Sequence, residues 1–535
     1  MSQPQADYDA LAVKLDQLQK DGALAGAIDH WKHLQAKSLP PDWVAGQLKA
    51  VADLLNKRGV QLYKTNQIGE ALAYFHLALR ANGDEASAMN NAASCLKELG
   101  RLEDSTALYR QALEKYPHFA AAHSNILMNL QYTAGVTLAV LAEAHREWDR
   151  RHAKPLREKS APYDVSDPER VLRIGLVSPD LGQHPVGIFL VRYLENMDKT
   201  QFIISSYADG QRRDALADRI RAAVTHWHDV QGLSDAALAE KIRADNIDIL
   251  IDLGGHTANN RLGVFARKPA PLQITWLGYP GDTGLSAMDY VIGDPLILPH
   301  DVQEFCAARI AHLPDSFVCF DPPADAPPVQ DTPATRPGQV TLGCFNNPAK
   351  CNPEVIELWS EILKHLPESR LLFKYKGFGE SLCQQDFQQR FATHGIDSSR
   401  LEFQGASSLP ELFAVMQKVD IALDPFPFAG GLMTCLTLWM GVPVISWPGE
   451  TFASCQALSF FANMGISATV AESRDDYVEI AVALAHHLPR LNALRHELRP
   501  AMEVSALCDG PRAAAELQNL LRQIWREHCA TSTTI

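Results

Sequence analysis

The chain has 535 residues and a formal net charge of −14 at pH 7, with acidic and basic residues interspersed. This length exceeds the ~100–200 residues of a typical domain, so we expect three domains, and the acidic balance argues against a nucleic-acid partner bound through its phosphates. The ten cysteines form no C-x-x-C pair and no stretch matches a signal peptide or a membrane span, so the sequence predicts a cytoplasmic protein with reduced thiols and no membrane contact.

The first predicted elements are helical repeats. Three pairs of residues keep an interval of 34 positions, the repeat length of tetratricopeptide units. They are Phe75 and Tyr109, Ala78 and Ala112, and Leu79 and Leu113. About three repeats are needed for a stable stack, so we expect residues 9–35 to form a worn capping repeat and residues 120–155 a further helix pair that leans on the rest of the protein. Residues 1–160 are thus predicted to be an α-solenoid that binds an extended segment of another protein.

Residues 165–322 alternate short apolar runs with helical stretches, which is typical of a doubly wound, Rossmann-like sheet. The predicted strands are 171–177, 202–207, 247–252, 272–276 and 290–292. A Pro-rich stretch at 323–338 cannot hold a helix or a central strand and is expected to be a linker.

A second alternation over residues 339–535 predicts another Rossmann-like half. Its predicted strands are 340–345, 370–375, 401–404, 420–423 and 443–446, and a final helix at about 510–527 is long enough to return across the molecule. The predicted fold class is therefore α plus α/β, a tetratricopeptide solenoid followed by two Rossmann-like domains. Ligands of such sheets bind outside the carboxyl ends of the strands, so two facing sheets form a cleft between domains.

Two loops of the second half combine features of an anion site. The segment Phe345-Asn-Asn-Pro-Ala-Lys350 follows a predicted strand and precedes a helix, where a lysine and free backbone N–H groups can meet an anion. The loop Asp424-Pro-Phe-Pro-Phe-Ala-Gly-Gly431 lies in the same topological position, and its glycines permit close approach to a phosphate. Taken singly, the lysine is equally compatible with a surface position, and the glycines are compatible with an ordinary turn.

The first half places polar residues after its strands. His184 and His256 each follow a predicted strand, and both are expected to project into the cleft as a general base or phosphate partner. A lone histidine is more often structural, but two at equivalent positions favour a functional role. The loop Trp276-Leu-Gly-Tyr-Pro-Gly-Asp-Thr-Gly284 is a third strand-end loop, which by itself is compatible with a tight turn.

Several motifs together resemble the catalytic region of the O-GlcNAc transferase and SPINDLY glycosyltransferases. The motifs run in order over residues 170–528, and helical repeats are the usual partner module of that family. They are Asp252-Leu-Gly-Gly-His-Thr-Ala, Arg267-Lys-Pro-Ala-Pro-Leu-Gln, Trp276-Leu-Gly-Tyr-Pro-Gly, Leu313-Pro-Asp-Ser-Phe, Phe345-Asn-Asn-Pro-Ala-Lys, Leu438-Trp-Met-Gly-Val-Pro-Val and Pro448-Gly-Glu-Thr-Phe-Ala-Ser.

The resemblance implies a GT-B fold and an inverting, metal-independent transfer of a sugar, with GlcNAc expected, from a nucleotide sugar to Ser or Thr of a protein bound by the repeats. UDP-GlcNAc is the expected co-substrate, with no further cofactor. Lys350 matches the family lysine at the donor pyrophosphate, and His184 and His256 match polar positions near the reacting centre. The remaining residues expected to bind the donor are Leu277, Gly278, Pro280, Asn347, Gly430, Gly431 and Thr434. The only D-x-D motif, Asp7-Tyr8-Asp9, lies in the predicted arm and is badly placed to hold a metal–nucleotide complex.

Departures from the family pattern cluster on the nucleotide side. Apolar residues or cysteine replace the polar partners that are common in the family, and Asp282 replaces a threonine. These residues are Leu412, Leu432, Met433, Leu436 and Cys455. Losing a hydrogen-bond partner weakens binding by roughly 1–3 kcal/mol per group, so two alternatives stay open: a different donor, such as a CMP-linked nine-carbon acid on flagellin, or an inactive scaffold. A sugar-nucleotide epimerase is a third reading, but it leaves the repeats unexplained.

Overall fold

The fold is that of a computed structural model, which describes residues 23–35, 41–158, 167–210 and 213–532. Residues 9–22 of the predicted capping repeat, and the Asp7-Tyr8-Asp9 motif, lie outside the described residues. Within the described ranges, no helix is both long and apolar enough to cross a bilayer.

The N-terminal part is a helical stack, as the repeats predict. Its helices are α1 (Ala23–Gln35), α2 (Pro41–Lys64), α3 (Ile68–Ala81), α4 (Ala86–Glu98), α5 (Leu102–Lys115), α6 (Ala120–Tyr132) and α7 (Leu138–Trp148). The 34-residue interval places Phe75 on α3 and Tyr109 on α5, and both side chains are buried. Gly59 of α2 faces Phe75 so closely that an added Cβ would lie 2.5 Å from its ring, so the small residue lets the two helices approach. The predicted further pair is α6 and α7.

The first Rossmann-like half contains a seven-stranded parallel sheet. Its strands are β1 (Leu172–Ser178), β2 (Phe202–Ala208), β3 (His226–Asp229), β4 (Ile249–Asp252), β5 (Leu272–Thr275), β6 (Tyr290–Gly293) and β7 (Arg309–His312), in the spatial order β3-β2-β1-β4-β5-β6-β7. The helices of this half are α8 (Pro185–Glu195), α9 (Ala215–Ala223), α10 (Asp235–Ala244) and α11 (Leu262–Ala266). The edge strands β3 and β7 were not predicted, because neither is an apolar run.

Residues 313–340 form no helix or strand and lead into a second parallel sheet. Its strands are β8 (Thr341–Cys344), β9 (Arg370–Lys374), β10 (Leu401–Gln404), β11 (Ile421–Leu423) and β12 (Val444–Ile445), in the order β10-β9-β8-β11-β12. The helices of this half are α12 (Pro353–His365), α13 (Ser381–Thr393), α14 (Leu409–Met416), α15 (Leu432–Trp439), α16 (Phe452–Met464), α17 (Arg474–His486), α18 (Leu488–Glu503) and α19 (Gly510–Ser532). The architecture of helical stack and two parallel sheets confirms the predicted fold class.

Contacts from each half reach the other. The last helix, α19, packs on the first half, where the Arg522 guanidinium donates to the carbonyl oxygens of Pro168 and Arg170 at 2.9 and 2.8 Å. Ser459 of α16 donates to the buried Asp294 carboxylate of the first half at 2.6 Å. These contacts fix the cleft in which the two sheets present their carboxyl edges.

The solenoid contacts both halves. Its third pair meets the first half, where Ser286 N and Oγ donate to the Asp149 carboxylate at 3.2 and 3.3 Å. Its earlier pairs meet the second half, where Lys376 pairs with Glu98 at 3.3 Å and Ile68 N donates to Glu380 at 2.7 Å. The expectation that residues 120–155 lean on the rest of the protein therefore holds, and the earlier repeats also form contacts that the sequence did not predict.

Candidate active site

The candidate site lies where the strand order of each sheet changes direction. In the first sheet β1 lies between β2 and β4, and in the second β8 lies between β9 and β11. The loops that leave two such central neighbours diverge at the carboxyl edge and open a crevice, which is where open α/β sheets bind ligands. The loop ending in Lys350 follows β8, and the glycine loop 424–431 follows β11, so the direct pairing of these strands makes the two loops neighbours.

Lys350 is held at this edge by neutral groups. Its Nζ donates to Asn346 Oδ1 at 3.1 Å and to the Ala429 carbonyl oxygen at 2.9 Å. The same ammonium lies 4.3 Å from the centre of the Phe428 ring, close enough for a cation–π contact. Two uncharged oxygens and a ring face orient the cation while leaving its positive charge uncompensated by a directly contacting carboxylate.

The glycine loop is organised around the buried side chain of Asp424. This carboxylate accepts from Gly430 N at 2.8 Å and from Ser446 Oγ at 2.9 Å, and it contacts Asn346 Nδ2 at 3.4 Å. Asn346 thus links the carboxylate to Lys350. Asp424 and Asn346 both lie within the two loops of the predicted anion site, but no role is predicted for either. A polar residue directly after an apolar strand is the sequence signal that singles out Asp424.

Burial shifts the pKa of both charged groups in this network. Removal from water lowers the pKa of Lys350 to about 8, an effect only partly opposed by the negative charge of Asp424. Burial raises the pKa of Asp424 to about 6, although Lys350 and the Gly430 N–H act in the opposite direction. Lys350 is therefore mainly charged at neutral pH and becomes sensitive to titration in the mildly alkaline range.

The predicted Gly430, Gly431 and Thr434 form the start of α15. An added Cβ on Gly430 would lie 2.2 Å from Thr434 Oγ1 and 3.0 Å from Asp424 Oδ1, so only glycine fits. Gly431 is the N-cap residue, and in the described structure no side chain caps this end of the helix. Because α15 follows β11, its N-terminus lies at the carboxyl edge of the sheet, where the helix dipole favours an anion.

Asn347 has a local capping role, and its contact with the donor stays a prediction. Its side-chain oxygen accepts from Ala349 N at 2.9 Å and caps the short turn Pro348–Lys350, while its amide nitrogen lies 3.4 Å from Glu98 of the solenoid. An Asn followed by Pro is a common start of a helical turn, and that capping function accounts for the residue. The asparagine that contacts Lys350 is its neighbour, Asn346.

His256 is also placed differently from the prediction. It is fully buried, because α6 and α7 of the solenoid cover the strand end that carries it. Its Nε2 donates to the Thr283 carbonyl oxygen at 2.8 Å, and its Nδ1 accepts from Ser124 Oγ at 3.0 Å. Both ring nitrogens are thus used inside the protein, and burial holds the pKa of His256 well below its usual value. The structure supports a role in docking the solenoid rather than in proton transfer.

His184 lies in the loop that leads from β1 to α8 on the first sheet. It caps α8, where its Nδ1 accepts from Val186 N at 3.4 Å, and its Nε2 lies 3.7 Å from Asp180 Oδ1. The imidazole is about one-third exposed, at 34%, in contrast to the enclosed His256. A histidine with this exposure can exchange protons with solvent or with a ligand.

The predicted sugar loop follows β5 and borders an open pocket of about 530 Å³. Leu277 has a left-handed backbone with φ of 64°, and an added Cβ on Gly278 would lie 2.0 Å from the Leu253 carbonyl oxygen, so this backbone presses against the loop after β4. Pro280 lines the pocket. The other walls come from the solenoid, through Gln131 and His145, and from Thr451 and Phe452 of the second half. All three parts of the chain therefore meet at one opening.

Comparison with known proteins identifies the family. The sequence profile named glycosyl transferase family 41 matches residues 149–324 and 336–517. The chain belongs to glycosyl transferase family 41. This result confirms the resemblance found in the motifs, and the two matched segments coincide with the parts of the chain that form the two sheets.

Two kinds of family 41 relative are similar to this chain. The probable UDP-N-acetylglucosamine–peptide N-acetylglucosaminyltransferase SPINDLY of Arabidopsis thaliana is 37% identical over 427 residues, which are 77% of this chain and 46% of the relative. The corresponding protein named SEC from the same plant is 31% identical over 376 residues, 67% of this chain and 38% of the relative. The chain thus spans about half the length, or less, of these curated relatives. The solved structure of a mutant O-GlcNAc transferase from Thermobaculum terrenum is 32% identical in sequence and has a TM-score of 0.86. The superposition covers 99% of this chain and 100% of that structure.

The departures from the family 41 pattern are packed into the structure. Leu436 of α15 is 5% exposed and Cys455 of α16 is 8% exposed, and the Cys455 thiol contacts the Gly449 carbonyl oxygen at 3.0 Å. Leu432 and Met433, in the first turn of α15, and Leu412 of α14 are half-buried against the same core. The wall beside the helix N-terminus is therefore apolar. Asp282 accepts from Ala307 N at 2.6 Å and joins two loops of the first half.

The described residues contain no group of three or more His, Cys, Asp or Glu side chains arranged to hold a metal ion. The charges that the crevice itself offers to a ligand are the Lys350 ammonium and the positive end of α15. The chemistry that these two groups support is the binding of an anion.

Proposed function

We propose that this protein is an inverting, metal-independent glycosyltransferase that moves a sugar from a nucleotide sugar to a Ser or Thr hydroxyl of a protein. The donor proposed first is UDP-GlcNAc, the molecule named in the titles of the SPINDLY and SEC relatives. Family membership supports the reaction class, and the Lys350 ammonium, which contacts two neutral oxygens beside the N-terminus of α15, is the observation that carries the proposal. We also propose that the protein acts in the cytoplasm.

The leaving group is the part of the reaction that Lys350 serves. When the bond from the anomeric carbon to the diphosphate breaks, negative charge develops on the diphosphate oxygens. An ammonium held by Asn346 and the Ala429 carbonyl oxygen, together with the first-turn N–H groups of α15, is already oriented for that charge. Groups fixed in this way stabilise a transition state without reorganising, so a metal ion is not needed for charge neutralisation.

Inversion requires the acceptor hydroxyl to approach the anomeric carbon from the side opposite the diphosphate. His184 is the proposed proton acceptor for this hydroxyl, because it lies in a strand-end loop of the first sheet and its imidazole is 34% exposed. Accepting the proton at Nε2 requires the tautomer with its hydrogen on Nδ1, which gives up the 3.4 Å contact from Val186 N. His256 has no part in this step, since its ring is enclosed and both nitrogens bind protein groups.

The solenoid is the proposed binding site of the acceptor protein. Half-buried asparagines pair between successive repeats: Asn91 Nδ2 donates to Asn56 Oδ1 at 3.0 Å, and Asn125 Nδ2 donates to Asn90 Oδ1 at 2.9 Å. A row of side-chain amides can exchange hydrogen bonds with the backbone of an extended peptide of any sequence, since each amide both donates and accepts.

A panel of nucleotide sugars with mass spectrometry of candidate acceptor proteins tests the proposal. Addition of a sugar that disappears in Lys350→Ala supports it. Lys374→Ala is a matched control, because Lys374 also ends a strand of the same sheet but donates to the Gly405 carbonyl oxygen after β10 instead of to the glycine loop. Absence of turnover and of nucleotide binding in the unmodified protein would instead indicate an inactive scaffold.

A different donor is the second candidate, and the apolar wall formed by Leu432, Met433 and Leu436 favours it. These side chains cannot hydrogen-bond to a ribose or base. The nucleotide that raises the melting temperature most identifies the preferred donor class, because a ligand that binds only the folded state stabilises it by mass action. A larger shift with a CMP-linked or another nucleotide than with UDP would establish this alternative.

A further inference from the structure

Two consecutive residues at the end of solenoid helix α6 contact the two loops that face each other across the crevice. Gln131 Nε2 donates at 3.1 Å to the hydroxyl of Tyr279, which lies in the loop after β5 of the first half. The next residue, Tyr132, stacks its ring on Phe428 in the glycine loop of the second half, with ring centres 4.9 Å apart and an angle of 27° between the planes. One helix end thus touches both sides of the active site.

Phe428 connects this helix end to the reaction. The Phe428 ring stacks on the ring of Tyr132, and Lys350 Nζ lies 4.3 Å from the centre of the Phe428 ring. The adjacent residue, Ala429, supplies the carbonyl oxygen that accepts from the same ammonium, so the position of the glycine loop determines two of the contacts of Lys350 described above. Tyr132 is 8% exposed, which means that its ring is fixed by packing and can hold Phe428 in place.

Tyr279, the partner of Gln131 in the first half, is also held in place. The Tyr279 hydroxyl donates to His145 Nε2 at 2.8 Å, and His145 Nδ1 donates to the Leu141 carbonyl oxygen. The end of α6 therefore sits on a hydrogen-bonded base that includes α7 and the first half, and it reaches from that base to the loop of the second half. A shift of the solenoid end relative to the first half would move Phe428 and, with it, the partners of Lys350.

From this geometry we propose that Tyr132 is a positioning residue for sugar transfer, which orients Lys350 through Phe428 and makes the last turn of α6 part of the donor site. The inference rests on the proposed function, because it takes Lys350 to be the group that stabilises the departing diphosphate. A positioning residue and a purely structural residue have different effects when they are substituted. Removing the Tyr132 ring should lower kcat for transfer more than it lowers the stability of the fold.

The test compares kcat, KM and melting temperature among ring variants at position 132. Tyr132→Leu keeps the bulk but not the ring, and we expect it to lower kcat about tenfold with KM for the donor changed less than twofold, the order of effect of an aromatic pair. Tyr132→Phe keeps the ring and should restore kcat to within twofold of the unmodified enzyme. Phe119→Ala, a partly buried aromatic in the same repeat that packs within the solenoid, is the matched control and should lower the melting temperature without lowering kcat.

A double-mutant cycle with Phe428→Leu gives the decisive readout. If both residues act through one stack, the double variant should lose no more activity than Phe428→Leu alone, whereas independent structural effects multiply. Multiplied losses, or a Tyr132→Leu kcat equal to that of Phe119→Ala, would overturn the positioning role while leaving the proposed function intact. Full transfer activity in Lys350→Ala would overturn both. Tyr132→Ala gives a second, larger truncation, and if it does not fold, Tyr132→Leu decides.

Discussion

Four buried histidines at the junction of the solenoid and the first half make that junction sensitive to acid. His123 and His152 hydrogen-bond to each other at 3.0 Å, and the rings of His145 and His256 lie 5.3 Å apart. Burial lowers the pKa of His123, His145 and His152 to about 4 and holds that of His256 well below its usual value. Each is therefore neutral in the folded protein at a pH where the unfolded chain already binds a proton.

The sign and size follow from linkage. A histidine has a pKa of about 6.5 in an unfolded chain, so between pH 6.5 and 4 the unfolded state binds more protons and stability falls as the pH falls. For His145, which is 4% exposed, acidification from pH 6.5 to 5 lowers the free energy of unfolding by about 2 kcal/mol, at about 1.4 kcal/mol per pH unit. The buried carboxyl groups of Asp252 and Asp424, whose pKa is raised to about 6, act in the opposite direction.

Because these carboxyl groups offset the histidines, the informative quantity is a difference between two proteins. We expect urea denaturation to show that His145→Asn is less stable than the unmodified protein at pH 7, since it loses the contact with Tyr279. That deficit should shrink by about 2 kcal/mol at pH 5, because only the unmodified protein retains the histidine that resists protonation. The carboxyl contributions cancel in this comparison. A deficit that is the same at both pH values would refute the reasoning that His145 is held neutral by burial.

Three further outcomes follow from the site. Turnover should fall as the pH rises through about 8, as Lys350 loses its charge, and Lys350→Ala should lower kcat about 10²–10³-fold with no such alkaline limb, which a pH–rate profile measures. Gly430→Ala should lower the melting temperature and weaken nucleotide binding, because the added methyl group meets Thr434 Oγ1. A second substitution, Thr434→Ala, should partly restore both properties. A Gly430→Ala variant that is fully active and stable would contradict this packing. Glu98→Ala should lower the free energy of unfolding by about 1–3 kcal/mol, since it removes the buried partner of Lys376, and an unchanged urea midpoint would show that this solenoid contact is dispensable.

The sequence predicted the strands whose own residues form a continuous apolar run. The apolar runs predicted all eight central strands, which are buried on both faces, as in β1, where every residue except Arg173 is buried. They also predicted the two edge strands of the second sheet, β10 and β12. The two strands that were not predicted, His226–Asp229 and Arg309–His312, lie at the two edges of the first sheet. An edge strand has one neighbour and needs no continuous apolar run, so its sequence carries little signal of its position.

The site was predictable only as far as topology determines it. Lys350 and the glycine loop follow strands, and sheet pairing brings them together. His256 follows a strand equally well, but its environment depends on helices that are more than 100 residues earlier in the chain, as its bond with Ser124 shows. Local sequence does not report which part of a sheet edge another domain covers. The capping role of Asn347, in contrast, is local, and the following proline indicates it in the sequence.

Because the solenoid packs against the second half, deleting the repeats does not separate acceptor binding from catalysis. One hydrophobic cluster runs from Leu24 through the repeats into the second sheet, and an added Cβ on Gly377 of the second half would lie 2.2 Å from the Glu98 carbonyl oxygen, so the two surfaces are in direct contact. Removing the repeats would expose this apolar surface and release the loop that carries Lys350. A truncated chain that loses transfer therefore does not distinguish a lost acceptor site from a damaged donor site. In the contacts described above, Asn56 and Asn90 pair only with other solenoid amides. Substituting either one changes the proposed acceptor surface and leaves the contacts of Glu98 and Tyr132 in place. Such substitutions can therefore assign acceptor binding to the solenoid.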